Sequence, residues 1–215
     1  MKRNDLIWLL ALGLVFFLML SPWTADTFAT MTANHPYLMG FAKFFVLASL
    51  GELLAIRMNR GVYAKPAYML VRAFIWGIVG ILVVYTFSLY SNGVAAAVEA
   101  KLLPDWGKVS RALFTSITMN LTFAPAFMAA HRISDKLLDR RAVGLRGVKA
   151  AVADIDWTQF YTFVIGKTVP LFWIPAHTIT FLLPPTYRVL VAASLSIALG
   201  LILSLAKMSK KEKTA

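Results

Sequence analysis

The first candidates for chemistry in this 215-residue sequence are charged side chains that lie inside its long apolar stretches. Lys43 and Glu52 share one stretch, and Lys167 lies in another. A charge at membrane depth is costly, so such a group usually faces the interior of a helix bundle, pairs with another group, or reaches the interface. Glu52 is the only carboxylate inside a stretch. The sequence therefore predicts an interaction between Glu52 and Lys167, either as charged pore elements or as a structural ion pair.

Lys43 and Glu52 are not predicted to pair with each other. Nine residues of α-helix turn the chain by about 900°, which places the two side chains on opposite faces, about 13.5 Å apart along the axis. Two simpler alternatives stay open. Arg57 or Arg60 would neutralise Glu52 near the end of its stretch, and Lys43 would extend its ammonium group to the nearer interface.

A polar stripe runs along a later stretch at helical spacing. Its members recur at intervals of four, three and four residues, with an asparagine beside them: Arg111, Thr115, Thr118, Asn120 and Thr122. Such hydroxyl groups often bond to their own backbone or to a neighbouring helix. Alternatively, they line a hydrated path, which would be a weakly selective polar lining rather than a tight ion filter.

Three prolines inside apolar stretches are predicted to break or kink helices, because proline removes a hydrogen bond and crowds the preceding turn. These helix-break candidates are Pro125, Pro170 and Pro175. Irregular backbone at membrane depth is tolerated where protein or a water-filled cavity satisfies it.

Signatures of catalysis are missing from the sequence. It has no cysteine, its three histidines are far apart, and it contains no glycine-rich phosphate loop and no zinc-binding helix motif. No metal site, cofactor or enzymatic activity is predicted.

The elements that must position these residues are membrane helices. Each apolar stretch is close to the ~20 residues that cross ~30 Å of hydrocarbon. The sequence therefore predicts an all-α, polytopic membrane helix bundle of about six transmembrane helices: 6–23, 37–56, 67–90, 112–130, 160–181 and 189–206.

The basic residues predict the orientation of this bundle. Sixteen of the 22 Lys and Arg residues fall in the N-terminal segment, the second gap, the fourth gap and the C-terminal tail, when Arg72 near the start of the third stretch is counted with the second gap. Basic residues are retained on the cytoplasmic side, so both termini are predicted to be cytoplasmic, in the cell membrane of a prokaryote or an organellar membrane if the source is eukaryotic. Stretch 6–23 also imitates a secretory signal, and its cleavage would leave five helices. The tryptophans that bracket it, Trp8 and Trp23, favour retention.

The predicted organisation is a single transmembrane domain, 1–206, followed by a basic cytoplasmic tail, 207–215. A cytoplasmic loop, 131–156, is expected to contain a short interfacial helix. The net charge of +12 is distributed along one membrane face, so the predicted partner is anionic lipid headgroups and not nucleic acid. Small residues at every fourth position offer a possible homo-oligomer contact: Ala192, Ser196, Gly200 and Ser204.

Several short motifs are spread across 35–204: His35-Pro36-Tyr37 before Gly51-Glu52, Arg60-Gly61, Phe123-Ala124-Pro125, and Pro184-x-x-Tyr187-Arg188 followed by Leu203-Ser204. In type and spacing these motifs resemble those of the Mpv-seventeen and peroxisomal-membrane-protein-twenty-two family of mitochondrial and peroxisomal membranes. Departures include Met119-Asn120 in place of the family's Asp-Gln, and an added N-terminal helix, 6–23. With these departures, the chain looks like a distant, prokaryotic-type relative of that family.

The resemblance implies a small integral membrane protein without a cofactor, linked to channel-like permeability. Together with the charges at membrane depth, it leads to the hypothesis of a passive channel or facilitator for small polar solutes or metabolites. The alternative is a non-transporting scaffold or assembly factor that binds lipids or a partner protein. In that case the same charged residues would be structural pairs.

Overall fold

The computed structural model describes the backbone of residues 3–212 and the side chains of residues 3–202. All regular secondary structure in this part of the chain is helical, and it contains no β-strand. The elements are α1 (Arg3–Leu20), α2 (Ala25–Asn34), α3 (Pro36–Arg60), α4 (Met69–Glu99), α5 (Lys108–Ala142), α6 (Val148–Ala153), α7 (Trp157–Gln159), a π-helix (Phe160–Trp173), α8 (Ile174–Leu182) and α9 (Pro185–Glu212).

Several of these helices are long and apolar enough to cross a membrane. Five candidate spans occur among the described residues: Arg3–Leu20, Pro36–Arg60, Met69–Glu99, Lys108–Ala142 and Pro185–Ile202. The all-helical prediction is confirmed for the described residues, and by length and composition these helices are compatible with an integral membrane protein. The number of spans and the cytoplasmic placement of both termini remain predictions.

The predicted fifth span, 160–181, has an unexpected form. Residues 157–182 are continuously helical, but Phe160–Trp173 is a π-helix, in which each N–H bonds five residues back. Pro170 lies inside it, and Pro175 lies in the first turn of α8. Of the break or kink predicted at these prolines, the break is therefore wrong, because the helix continues through both, and the kink stays a prediction. Proline tolerates the first turn of a helix, and the wider π-helix accommodates the missing donor of Pro170.

A break at Pro125 is also wrong, because α5 continues through it to Ala142, and a kink there stays a prediction. The predicted loop 131–156 is consequently mostly helix. Its apolar spacing at Ile133, Leu137 and Leu138 does mark a helix, but that helix is the end of α5 and not a separate interfacial segment. α6 follows after a short turn, and Arg140 forms an ion pair with Asp154 just beyond it.

The described chain divides into two compact units. The first contains α1, α2, α3, the first half of α4 and α9. α1 is fixed to α3 by the Trp8 indole, which donates to the Leu50 carbonyl (2.9 Å), and by Asp5, which accepts from Arg57 (2.9 and 3.3 Å). The backbones of α3 and α4 touch where Gly40 meets Gly80.

The second unit contains the end of α4 from Tyr85 onward, α5, α6, α7, the π-helix and α8. Its centre is the packing of α5 against α8. Phe87 and Phe181 lie in contact there, with ring centroids 4.8 Å apart.

The helix α2, in the first unit, was not predicted from the sequence, because its mixed composition resembles that of a polar loop.

Candidate functional site

The most polar buried cluster lies between α5 and α8 in the second unit. Asn120 is fully buried, and its Nδ2 donates to the Ser116 carbonyl (2.8 Å) and to Ser116 Oγ (3.2 Å). Ser116 Oγ in turn donates to the Ile174 carbonyl (2.7 Å). The bond from Ser116 joins the two helices, and Asn120 lies about 18 Å along the 35-residue α5 from its start.

His177 completes this cluster. Its Nδ1 lies 3.1 Å from Asn120 Nδ2 and 3.2 Å from Asn120 Oδ1. Both amide hydrogens of Asn120 already have acceptors on Ser116, so the fully satisfied arrangement has His177 Nδ1–H donating to Oδ1. In this tautomer Nε2 carries no hydrogen and is an acceptor. The protonation is assigned from the hydrogen-bond network.

Aromatic rings surround His177. Trp173 stacks on it, with centroids 5.4 Å apart, and Phe87 meets it edge-on at 5.8 Å. The indole Nε1 of Trp173 is buried and has no hydrogen-bond partner. A buried N–H without an acceptor is costly. The cluster therefore offers a donor on Trp173 and an acceptor on His177, carried by two stacked rings.

The predicted polar stripe is mostly satisfied by its own helix. Thr115 Oγ1 donates to the Arg111 carbonyl (2.7 Å) and Thr122 Oγ1 to the Thr118 carbonyl (2.6 Å). Arg111 forms an ion pair with Asp105 at 2.8 Å, before α5 begins. Thr118 is exposed. Of the stripe residues, only Asn120 joins the buried cluster.

Lys167, a predicted pore element, is exposed on the π-helix, and the described part of the chain supplies no ion-pair partner for it. Glu52, in the first unit, instead lies 3.4 Å from Arg72 NH1, and the arginine is only 6% exposed. The sequence had suggested Lys167, Arg57 or Arg60 as partners. Arg57 bonds Asp5, and the packing of α3 against α4 makes Arg72 the partner of Glu52.

Lys43 is the most deeply buried cation of the described chain, at 1% exposure. Its Nζ donates to Thr32 Oγ1 (3.0 Å) and lies 4.6 Å from the centre of the Phe28 ring. Both partners belong to α2. The alternative in which Lys43 extends to the interface is therefore wrong, because α2 covers it.

The residues of the family motifs lie in both units and form no single site. His35 and Pro36 begin α3, Gly51 packs against α9, and Phe123 stacks on Phe127 at 5.7 Å. The other motif residues are Pro125 inside α5, Pro184 just before α9, and Tyr187 and Arg188, half-buried in its first turns. Ser204 lies outside the described side chains.

The small-residue stripe of α9 packs at least partly within the chain. A Cβ added at Gly51 would lie 2.9 Å from Ser196 Oγ, and Ala192 is buried. Gly200 has open space. Homo-oligomer formation through this stripe remains a prediction.

The sequence did not predict Ser116 and His177, the two residues that complete the buried cluster around Asn120. Asn120 and His177 are 57 residues apart, and no spacing rule pairs them. The aromatic and histidine periodicity Trp173–His177, one helical turn, was the available signal. Among the described residues, no three His, Asp or Glu side chains group as a metal site.

Comparison with known proteins returns no match: no family model, no curated protein and no solved structure is similar to this chain.

Proposed function

We propose that this integral membrane protein is a passive facilitator for small polar solutes. The observation that carries the proposal is the buried cluster of Ser116, Asn120, Trp173 and His177 in the second unit. Polar and ionisable side chains at membrane depth are expensive, and they commonly mark substrate pathways.

The chemistry of the cluster favours an uncharged solute with both a donor and an acceptor, such as a small alcohol or amide. His177 Nε2 would accept one hydrogen bond and the Trp173 indole would donate another. The described residues bring no carboxylate or cation to these atoms. The rings of Trp173 and Phe87 supply an apolar surface for the carbon part of the solute, as in most small-molecule sites.

A second candidate function is a membrane scaffold without transport activity. The internal bonds of Thr115 and Thr122 and the Glu52–Arg72 pair favour it, because these groups are already satisfied by protein. The facilitator pathway therefore excludes Glu52, Arg111 and the threonines, and it also excludes Lys167, which is exposed on the π-helix. Of the pore residues predicted from the sequence, the pathway includes Asn120.

The deciding experiment is solute efflux from liposomes that contain the purified protein, with a homologous set of small alcohols and amides. The Trp173→Phe variant removes the indole N–H and keeps an aromatic ring. We expect its efflux to fall about three- to tenfold, the effect of one hydrogen bond of ordinary net strength. Trp106→Phe is the matched control, since Trp106 is exposed in the turn before α5, and its efflux should equal that of the wild type.

Two results would count against the facilitator. Folded, inserted wild-type protein that moves no solute faster than empty liposomes would favour the scaffold. Equal efflux in Trp173→Phe and Trp106→Phe would retain transport but remove the cluster from the pathway. Three further predictions belong to this proposal. The protein is a distant relative of the Mpv-seventeen family, it lies in the cell membrane of a prokaryote, and it binds anionic lipid headgroups.

A further inference from the structure

The environment of Lys43 in the first unit is unusual for a buried lysine. Its ammonium group has a hydroxyl and a phenyl ring as neighbours, Thr32 and Phe28, and the described residues place no carboxylate within ion-pair distance. Asp26 lies on the same covering helix, α2, but its side chain is exposed. A buried ammonium without a counter-charge is costly. The free energy of hydration that it loses on burial is larger than the free energy that one hydrogen bond and one ring contact return.

The hydrogen-bond capacity of this group is also incomplete. An ammonium carries three N–H donors. One donates to Thr32 and one side faces Phe28, which leaves a donor with no acceptor in the described part of the chain. The Thr32 hydroxyl accepts from Lys43, and its own hydrogen has no acceptor there either. Lys43 Nζ and Thr32 Oγ1, which are 3.0 Å apart, therefore each have one hydrogen without an acceptor in the described part of the chain.

We infer that Lys43 and Thr32 form a binding site for a small monovalent anion beneath α2. One anion would accept from both donors and supply the missing counter-charge. A halide or a one-carbon carboxylate supplies this charge in the smallest volume, which suits a lysine that is only 1% exposed. This site lies in the first unit and does not depend on the proposed solute facilitation.

The test is anion binding to the full-length protein in micelles at constant ionic strength. Chloride or formate replaces gluconate, and binding is followed by the chloride NMR line width and by the midpoint of thermal unfolding. The wild type should broaden the chloride signal, formate should compete, and both anions should raise the midpoint, as ligands of the native state do. Lys65→Met is the control, because Lys65 is exposed in the turn between α3 and α4, and it should bind as the wild type does.

Two variants place the site. Lys43→Met should weaken binding at least tenfold, and Thr32→Val should weaken it about threefold, as expected for a charged and a neutral hydrogen bond. Wild-type protein that gives no chloride broadening overturns the inference, as does binding that is unchanged in Thr32→Val. The second variant keeps the lysine and decides the question if Lys43→Met does not fold. Neutral-solute efflux is measured separately, so either proposal can fail alone.

Discussion

The Glu52–Arg72 ion pair joins α3 to α4 in the first unit, and its two side chains are buried to different extents. Arg72 is buried at 6% exposure, while the Glu52 side chain keeps 24%. The guanidinium group cannot lose its proton, so it depends on its acceptors once it is removed from water. Removal of the carboxylate is therefore more damaging than removal of both partners.

Glu52→Gln should lower the free energy of unfolding by about 2 kcal/mol, below the usual range for fully buried pairs because Glu52 is partly exposed. The double variant Glu52→Gln, Arg72→Met should recover at least half of that loss. Detergent-induced unfolding in mixed micelles measures both. Additive losses in the double variant would show that the two residues act independently.

Asp105 allows a test of pH dependence outside the spans. The hydrogen bonds from Arg111 and from the Gly107 backbone hold the pKa of its carboxyl below the ordinary value of 3.8. Its folded pKa is lowered, so its contribution to stability is complete above pH 4 and is lost as the pH falls through the folded pKa.

We therefore expect the Asp105 carboxyl resonance to titrate below its ordinary pKa in the wild type and to move upward in Arg111→Gln. NMR titration of the side-chain carboxyl carbon measures both. A titration that is the same in the two proteins would mean that Arg111 does not determine this pKa.

The sequence identified the costly residues but not their partners. Lys43, Glu52 and Asn120 stand out as polar groups inside apolar stretches, and each is indeed buried or half-buried. Their partners, Thr32, Arg72 and His177, lie 11, 20 and 57 residues away. No helical spacing links such positions, because only the packing of separate helices brings them together.

At the scale of elements, the crossing of α3 and α4 is defined by two glycines. A Cβ at Gly80 would overlap the carbonyl oxygen of Gly40, which is backbone and cannot rotate away. Such close approach is typical of membrane helices with small residues at the contact. The crossing therefore tolerates no side chain at this point.

Gly80→Ala should lower the free energy of unfolding by about 2–3 kcal/mol, the cost of overpacking a close contact. Gly93→Ala is the control in the same helix, since an added Cβ there meets nothing within 4 Å. It should be neutral or stabilise by up to about 1 kcal/mol through helix propensity. Equal effects in both variants would place the α3–α4 contact elsewhere.

Helical periodicity predicted the long elements well and the irregular ones poorly. Apolar runs of about 20 residues mark α1, α3, α4, α5 and α9 because length and hydropathy alone define such helices. They do not distinguish i→i+4 from i→i+5 bonding, so the π-helix was missed. A proline in the sequence also does not show whether a helix ends at that residue or continues past it. At Pro125, α5 continues.

At the scale of the whole molecule, membrane orientation is the prediction most open to test. The chain has no cysteine, so single cysteines introduced in each connecting segment can be labelled without background. Asn34→Cys, Ala100→Cys and Pro184→Cys should react with a membrane-impermeant thiol reagent added to intact cells. Lys65→Cys and Lys149→Cys should react only after lysis, because basic segments stay inside.

Pro184→Cys decides between five and six spans. Labelling from outside means that residues 157–182 cross the membrane, as the apolar stretch 160–181 predicts. Protection of Pro184→Cys with normal labelling of Asn34→Cys and Ala100→Cys would mean that the π-helical segment enters and leaves on the same side. All five positions are exposed in the structure.

The π-helix has a consequence for changes in chain length. An α-helix advances about 100° per residue, so the loss or gain of one residue rotates everything beyond it by that angle. A segment that already carries i→i+5 bonds over Phe160–Trp173 can absorb a one-residue deletion by tightening a wide turn into an ordinary one. The same deletion in α5 would swing half of a helix away from its neighbours. Natural or engineered length variation in this protein should therefore be tolerated within 160–173 and rejected within 112–124.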